Sequence, residues 1–260
     1  MPAIRPYETR AGIKSAERAM RVFEVFFERR CPLKVTDIGK ALDMPQSSTS
    51  LLLKALADQG YLIYHAETRK YFPSVRLSMI SGWIADARFP DAGIYQQMQD
   101  LSERFGQTVA LCVRKDLYYE ILSVIPARTS LRYEMKPREL RPLARTTIGH
   151  LLLSAHDDGY IGRLLRRTNS LEPAEIVGKV VIDDAIRQIR EWRKRQLAYS
   201  ESHAVQGVSV LAVLLRQPRV EENLVLAMIG PIEQVRSIRD EAEGALLSVR
   251  DNIVKRPAAG

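Results

Sequence analysis

The feature that most constrains the fold is the stretch 36–60, in which two short helical patterns flank a tight break. In the first pattern apolar residues repeat at helical spacing, and Thr36 is predicted to cap its start. Pro45 then ends the helix, because a proline cannot donate a backbone hydrogen bond and biases the residue before it toward an extended conformation. A second helix is predicted from Gln46 to Gln59. The apolar stripe expected to pack on the first helix consists of Leu51, Leu52, Ala55 and Leu56.

The opening turn of this second helix carries five hydrogen-bonding side chains and no carboxylate. Such side chains can donate to phosphates and to base edges without repelling a nucleic-acid backbone. The pattern is typical of a helix-turn-helix, whose second helix enters the major groove of DNA by its N-terminal end. A capped surface helix in another helical protein is the alternative. The candidates for contacts in the groove are Gln46, Ser47, Ser48, Thr49, Ser50 and Lys54.

A β-hairpin is predicted directly after this helix. Residues 61–63 are predicted to form a short strand, 65–68 a turn and 69–72 a return strand. A hairpin at this position is the wing of a winged helix, and Arg69 and Lys70 would then lie along the DNA backbone. On a hairpin without DNA, the same two cations would serve to discourage edge-to-edge pairing.

The segment before these elements is predicted to complete a winged-helix domain at 1–73. Residues 1–12 contain two prolines and little periodicity, so they are expected to form a flexible arm. A helix capped by Ser15 follows as far as Arg29, and Arg18 on it is a further candidate for phosphate contact. The buried face of this helix is expected to consist of Ala19, Val22, Phe23, Phe26 and Phe27.

A linker helix is predicted between two domains, at 74–90. Its helical part, 74–87, is more apolar than an exposed tether should be. We therefore expect it to pack against the same helix of a second subunit. Arg88, Phe89 and Pro90 break the helix and mark the domain boundary.

The composition favours a nucleic-acid partner and argues against a membrane protein. The formal net charge is +8 and the pI is about 9.6, which suits a polyanionic partner. No apolar run is long enough to cross a bilayer and no signal peptide is recognised, so we expect a cytoplasmic protein. Cys31 and Cys112 have no metal-ligand spacing and are expected to be buried as small apolar side chains.

The second domain, 91–260, is predicted to mix helices and strands without an internal repeat. Apolar runs predict strands at 108–114, 118–125, 129–135, 208–215 and 224–229. Helical periodicity predicts helices at 92–105, 147–155, 157–167, 183–196 and from 231 to 254. The pattern is typical of an antiparallel sheet carrying helices, so the predicted fold class is α+β.

Three stretches, in this order, resemble the IclR family of bacterial transcriptional regulators, and the resemblance covers 15–254. The first is the helix-turn-helix at 36–60. The second is 141–150, Arg-Pro-Leu-Ala-Arg-Thr-Thr-Ile-Gly-His, which is similar to a family segment ending in a small residue, Gly and Lys. The third is 201–213 with the later Gly230–Pro231, which is similar to a Gly-centred strand and a Ser-Gly-Pro ending.

The resemblance implies a GAF-like effector-binding domain joined to the winged helix by the linker helix. It implies regulation by a small organic acid, and homodimers or homotetramers that hold paired sites on double-stranded operator DNA. It implies further that the ligand lies between the start of one helix and the facing strands. By position, the residues expected to contact the ligand are Thr146, Thr147, Ile148, Ser200, Val210, Ala227 and Ile229.

The chain departs from the family pattern at this expected pocket. Ala144 and His150 stand where many members have His and Lys, and Ala227 and Ile229 stand where Ser is frequent. These changes remove hydrogen-bonding groups or shift charge, so we expect an aromatic or acyl carboxylate rather than glyoxylate or pyruvate. The partner of the carboxylate is either the backbone N–H groups at the helix start or Arg145, which is otherwise a solvated loop residue.

Two other classes of function are possible for such a chain. A metabolic enzyme would need a catalytic motif, and no Gly-x-Ser-x-Gly elbow, phosphate loop, dinucleotide fingerprint or HEXXH motif is present. His203 near Glu201 could form an acid/base pair, although a loop over the ligand pocket is the favoured interpretation. An architectural DNA-binding protein would ignore metabolites, and the second domain is large for that task. No catalytic residue, cofactor or metal site is predicted.

Overall fold

The computed structural model describes residues 13–80, 93–128, 135–171, 178–216 and 222–254, which fall into two compact units. The N-terminal unit comprises 13–80, and the C-terminal unit comprises the described residues from 93 onward. The predicted arm, the second half of the linker helix and the predicted boundary at 88–90 lie outside the described residues. Each unit has its own apolar core.

Three helices and a hairpin form the N-terminal unit. The helices are α1 (Lys14–Arg29), α2 (Val35–Leu42) and α3 (Gln46–Asp58), and the strands are β1 (Leu62–His65) and β2 (Lys70–Pro73). The two strands pair antiparallel, with Leu62 opposite Pro73. The winged helix-turn-helix predicted from the sequence is therefore confirmed. The chain is helical again at 75–80, where the linker helix is predicted.

The predicted caps of the first two helices are wrong by two residues, because the N-caps are Ile13 and Lys34. α1 begins one residue before Ser15 and α2 one residue before Thr36, so both side chains lie inside the first turn. The start of α2 is instead stabilised by Asp37, whose carboxylate accepts the backbone N–H of Lys34 at 3.0 Å.

The expected core faces of α1 and α3 are right only in part. Phe27 is 58% exposed, and Val25 is buried in its place. On α3 it is Leu53 that is fully buried, whereas Leu51 is 71% exposed and Ala55 is also exposed. The side of α3 that faces the core is therefore rotated about the helix axis relative to the predicted apolar stripe. The buried core of this unit is formed by Val22, Val25, Phe26, Leu33, Ile38, Leu42, Leu53, Leu62 and Tyr71.

A six-stranded antiparallel sheet organises the C-terminal unit. Its strands are β3 (Thr108–Lys115), β4 (Tyr118–Ile125), β5 (Leu140–Pro142), β6 (Leu197–Glu201), β7 (Val208–Leu215) and β8 (Leu224–Pro231). Their spatial order is β5-β4-β3-β8-β7-β6. The predicted antiparallel sheet is confirmed, but the short strands β5 and β6 were not predicted. Of the strand predicted at 129–135, only Met135 is described, and it lies outside any strand.

Helices cover both faces of this sheet. One face carries α5 (Thr147–Leu153), α6 (Asp158–Leu171) and α7 (Ile182–Arg195), and the other carries α4 (Ile94–Phe105), α8 (Ile232–Ser237) and α9 (Arg239–Val254). Alternate residues of a strand enter the two clusters: Ala110 faces the first group of helices and Leu111 the second. The predicted final helix is in fact two helices, since the chain turns at Ile238.

The two cysteines differ in their surroundings. Cys112 is fully buried in β3 as expected, and this burial raises the pKa of its thiol. Cys31 is exposed, so the expectation that it fills a core position is wrong. It lies in the short connection between α1 and α2, just before Leu33.

Candidate DNA interface and ligand cavity

Helix α3 presents one exposed stripe of mostly polar side chains. Ser47, Ser50, Leu51 and Lys54 are all exposed and follow the spacing of one helix side. Gln46 is exposed at the tip of the helix, while Ser48 is half-buried. The first turn contains no acidic residue, so this side of α3 can approach phosphates without charge repulsion.

Thr49 does not belong to this surface. Its side chain is fully buried, and its hydroxyl donates to the carbonyl oxygen of Pro45 at 3.0 Å. It packs where a Cβ added to Gly39 would lie 3.3 Å from its Oγ1 and 3.2 Å from the carbonyl oxygen of Met44. The candidate Thr49 is therefore corrected: its side chain fixes the turn between α2 and α3 and cannot reach a base.

Leu51 takes a place on the exposed side that the sequence pattern did not reveal. The sequence prediction assigned it to the core because it stands in a run of three leucines. In the structure it lies between Ser47 and Lys54 on the open side of α3. An aliphatic side chain at such a position can contact a thymine methyl group in the major groove.

Three further cations are candidates for phosphate contact. Arg69 is exposed in the hairpin turn, where its φ is 53°. Lys70 is half-buried at the start of β2 and pairs with His65 across the hairpin. Arg18 is exposed on α1. All three are available at the surface, and their contacts with DNA stay predictions.

The C-terminal unit contains a cavity between the sheet and the start of α5, which we call the inner cavity. Its volume, counted as the space open to the centre of a water molecule, is ≈ 40 Å³. The lining residues are Tyr119, Met135, Arg141, Pro142, Thr146, Thr147, Ile148, Ser200, His203, Ala204, Val205, Val208, Val210 and Ile229.

Six of the eight residues expected to contact a ligand line this cavity, namely Thr146, Thr147, Ile148, Ser200, Val210 and Ile229. Ala227 does not, because its short side chain is fully buried within the core beneath α5. Arg145 does not either, because its guanidinium turns away and donates to the carbonyl oxygen of Gly178 at 2.6 Å. The expectations for Ala227 and Arg145 are therefore corrected.

Arg141 is the cation that does line the inner cavity, and sequence reasoning missed it. Its side chain is 18% exposed and pairs with Glu139 at 2.8 Å. It lies on β5, opposite Tyr119 of β4, which also lines the cavity. Only the alternation of a β-strand could have indicated from the sequence that Arg141 faces the cavity. β5 is too short for that alternation to be recognised.

Polar groups from three elements meet in the inner cavity. The hydroxyl of Thr147 at the start of α5 is hydrogen bonded to the hydroxyl of Ser200 on β6. It also lies 3.1 Å from Nδ1 of His203, in the loop after β6. Burial lowers the pKa of His203, which favours the neutral imidazole.

Two residues fix the start of α5 against the cavity. The hydroxyl of Thr146 accepts the backbone N–H of Gly149 at 3.1 Å and donates to the carbonyl oxygen of Pro142 at 2.9 Å. At Gly149 the backbone of Leu143 approaches so closely that an added Cβ would lie 2.0 Å from its carbonyl oxygen. Only glycine fits there.

An ion pair anchors the loop that covers the inner cavity. Glu201, at the end of β6, accepts two hydrogen bonds from Arg236 of α8, at 2.7 and 3.1 Å. The Arg236 guanidinium lowers the pKa of the Glu201 carboxyl to about 2. Glu201 is thus engaged with Arg236, whereas His203 is bonded to Thr147. The acid/base pair considered from the sequence is not assembled.

An exposed helix tip with a wing in one unit, and a lined cavity in the other, define a winged-helix regulator. A family model described as the IclR helix-turn-helix domain matches residues 15–65. The HTH-type transcriptional regulator XynR of Escherichia coli (strain K12) is 28% identical over 239 residues, covering 89% of this chain and 90% of that protein. Residues 15–65 thus match the IclR helix-turn-helix domain, and over most of its length the chain is similar to transcriptional regulators of the IclR family.

Solved structures share the fold. The effector domain of an IclR transcriptional regulator from Acinetobacter sp. ADP1 has a TM-score of 0.60 and 24% identity, covering 66% of this chain and 99% of that chain. An IclR homologue from Microbacterium hydrocarbonoxydans, complexed with 4-hydroxybenzoate, has a TM-score of 0.56 and 16% identity, covering 93% of this chain and 98% of that chain. Within the described ranges, no helix combines the length and apolarity that crossing a bilayer requires.

Proposed function

We propose that this regulator binds operator DNA with the exposed side of α3 in the major groove. The observation that carries the proposal is the stripe of Ser47, Ser50, Leu51 and Lys54, on a helix whose first turn has no acidic residue. Gln46 and Ser48 flank this stripe and are secondary candidates. Arg69, Lys70 and Arg18 would contact phosphates and position the helix without selecting a sequence.

The inner cavity is proposed to bind the effector, a small organic acid with an aromatic or otherwise apolar body. Most of its wall is apolar, and a few polar groups converge on it, as in many ligand sites. The bound 4-hydroxybenzoate of the Microbacterium homologue supports this class of ligand. Arg141 is the proposed partner of the carboxylate, in place of Arg145, because a guanidinium can serve Glu139 and a ligand together.

A homodimer or homotetramer is proposed to hold two DNA-binding units on paired operator sites. The helical stretch 75–80 carries exposed apolar side chains, with Val75 71% and Met79 74% exposed. These would be covered by the same helix of a second subunit. An acid that binds one arrangement of the subunits better than another would then change operator affinity. Such a regulator would control a catabolic operon whose substrate or product is the acid.

A calorimetric titration of the full chain tests the effector proposal. Benzoate and 4-hydroxybenzoate are expected to bind more tightly than pyruvate and glyoxylate. Arg141→Gln should weaken binding of the aromatic acids roughly 10- to 100-fold, the range expected for one charge-assisted hydrogen-bond pair. Arg145→Gln is the matched control and should leave their affinity unchanged.

Four outcomes would contradict the proposed function. Tight binding of the short 2-oxo acids alone would exclude the apolar ligand class. Equal losses in the Arg141 and Arg145 variants would remove Arg141 as the carboxylate partner. Operator binding that ignores every acid would instead favour an architectural DNA-binding protein, and turnover of the acid would favour an enzyme.

A further inference from the structure

A groove lies where β3 ends in the C-terminal unit, and we call it the β3 groove. Its volume, counted as the space open to the centre of a water molecule, is ≈ 310 Å³. It shares no lining residue with the inner cavity. Most of its lining is polar, so it is a different kind of site from the mostly apolar inner cavity. The lining residues are Arg114, Asp116, Leu152, His156, Glu222 and Asn223.

Arg114 is the cation that lines the β3 groove, and its guanidinium is bonded to neutral groups. Nε donates to the carbonyl oxygen of Asp116 at 3.1 Å, and Nη1 donates to Nε2 of His156 at 3.2 Å. Nη2 donates to the hydroxyl of Tyr160, whose ring centroid lies 5.1 Å from the guanidinium carbon. These contacts fix the guanidinium in place. They use fewer than the five N–H groups that a guanidinium carries, so donors remain for a ligand.

Other arginines of this region have carboxylate partners, and Arg114 differs from them. Arg167 donates to both carboxylate oxygens of Asp116, at 2.7 and 3.0 Å, and Arg190 donates to Asp158 at 2.6 Å. Within the described ranges, no ion pair joins Arg114 to a carboxylate, although its side chain is half-buried. A charge that is partly removed from water without a counter-ion is unfavourable. An anion in the β3 groove would supply that counter-ion.

His156 and Asn223 add uncharged donors to the same groove. Because an arginine only donates, Nε2 of His156 accepts, and Nδ1 carries the proton of the neutral ring. Burial, followed by the charge of Arg114, lowers the pKa of His156 and favours that neutral form. Neither Nδ1–H nor the side-chain amide of Asn223 meets an acceptor in the described part of the chain. Both residues are half-buried and line the groove, so a molecule bound there contacts them.

The remaining lining residues limit the charge and the size of a ligand. The carboxylate of Asp116 is already balanced by Arg167. Glu222 also lines the groove, and its negative charge would repel a doubly charged anion more than a singly charged one. Among the described residues of the lining, only Leu152 is apolar, so a large apolar body would gain little there.

We propose that the β3 groove is a binding site for the carboxylate of a small hydrophilic acid. The carboxylate accepts hydrogen bonds from the guanidinium of Arg114, from Nδ1–H of His156 and from the amide of Asn223. Its single negative charge balances the charge of Arg114. The site is separate from the one proposed for an aromatic acid in the inner cavity, and it does not require that proposal to be correct.

Acetate and acetamide form a matched pair of probes, because they are alike in size and only acetate is charged. Nitrogen NMR of the ¹⁵N-histidine-labelled full chain follows the ring of His156 at constant pH and ionic strength, and the variant His156→Asn identifies its resonances. Acetate should shift the Nδ1 resonance of His156 along a saturating curve. Acetamide at the same concentrations should leave this resonance unchanged, because it cannot balance the charge of Arg114.

Variants test which cation binds the acetate. Arg114→Gln removes the charge and keeps a side-chain amide, so acetate should bind about tenfold more weakly. Two control variants should leave the acetate affinity unchanged. They are Arg163→Gln, at an exposed position of α6 that does not line the groove, and Arg141→Gln, in the inner cavity. Asn223→Ala should weaken acetate binding about threefold, and it provides a second test if Arg114→Gln does not fold.

Several results would overturn the proposal. Equal effects of acetate and acetamide, or no saturable shift at His156, would remove the site. Equal losses in the Arg114 and Arg163 variants, or tighter binding of sulfate than of acetate, would do the same. Loss of the His156 response in Arg141→Gln would mean that acetate occupies the inner cavity. Binding of acetate by a protein that ignores aromatic acids would support this site and contradict only the acid site proposed for the inner cavity.

Discussion

The polar side chains of the two units are arranged in opposite ways. On α3, Ser47, Ser50 and Lys54 face solvent from one helix, so their spacing in the sequence alone brings them together. In the inner cavity, buried Thr147 is bonded to His203, and the two residues come from a helix and a loop far apart in sequence. The surface proposed to bind DNA therefore depends on local periodicity, whereas the cavity proposed to bind a ligand depends on backbone packing.

Among these predictions, the substitution at Gly149 should change stability most, although it alters no polar side chain of the cavity. Gly149→Ala places a methyl group against the carbonyl oxygen of Leu143, which an added Cβ would approach to 2.0 Å. We expect a loss of about 3 kcal/mol in the free energy of unfolding, measured by urea denaturation, because packed backbone must move. Gly244→Ala is the control, since no atom lies within 4 Å of its added Cβ. It should stabilise α9 by up to ~1 kcal/mol. Equal effects would contradict the close approach at α5.

A second prediction concerns the buried histidine of α5. Because the pKa of His150 is lowered to about 4 in the folded protein, the unfolded chain binds more protons between pH 6.5 and pH 4. The stabilisation from the neutral ring is full above pH 6.5 and is lost as pH falls toward 4, by up to about 3 kcal/mol. His150→Phe should flatten this part of the unfolding free-energy profile.

The wing should contribute to DNA affinity without selecting sequence. Arg69→Ala is expected to weaken binding to operator and random duplex alike, and to reduce the slope of log K against log salt by about 1. Fluorescence anisotropy at several salt concentrations measures both quantities. Arg187→Ala, an exposed arginine of the C-terminal unit, is the control and should leave the slope unchanged. An unchanged slope for Arg69→Ala would remove it from the DNA contacts.

The substitution at Leu51 should change DNA affinity least, and it tests which side of α3 contacts the bases. Leu51→Ala should reduce affinity by about 1 kcal/mol for operators with a thymine at the contacted position, the size of a single base contact. Affinity for operators with another base there should hardly change. Competition among operator variants measures this difference. A uniform loss across all variants would mean that Leu51 acts through stability of the helix.

Sequence reasoning succeeded where periodicity is local and failed where partners are distant. The helices and wing of the N-terminal unit follow from local patterns. The six cavity-lining expectations that hold came from the resemblance, at Thr146, Thr147, Ile148, Ser200, Val210 and Ile229. Arg141 was missed because β5 is only three residues long, and its place depends on pairing with β4. The sequence prediction placed Thr49 at the surface and Leu51 in the core, and the structure shows the reverse. Both faces of α3 carry residues of the same type, and only packing against Gly39 decides which face is buried.

The exposed stripe on α3 is proposed to recognise particular DNA sites under the control of a ligand. Selection of bound fragments from sheared genomic DNA, with and without 4-hydroxybenzoate, tests it most directly. We predict enrichment of fragments that share a paired half-site, and a change in that enrichment when the acid is added. Equal recovery of genomic fragments and random DNA under both conditions would contradict the account.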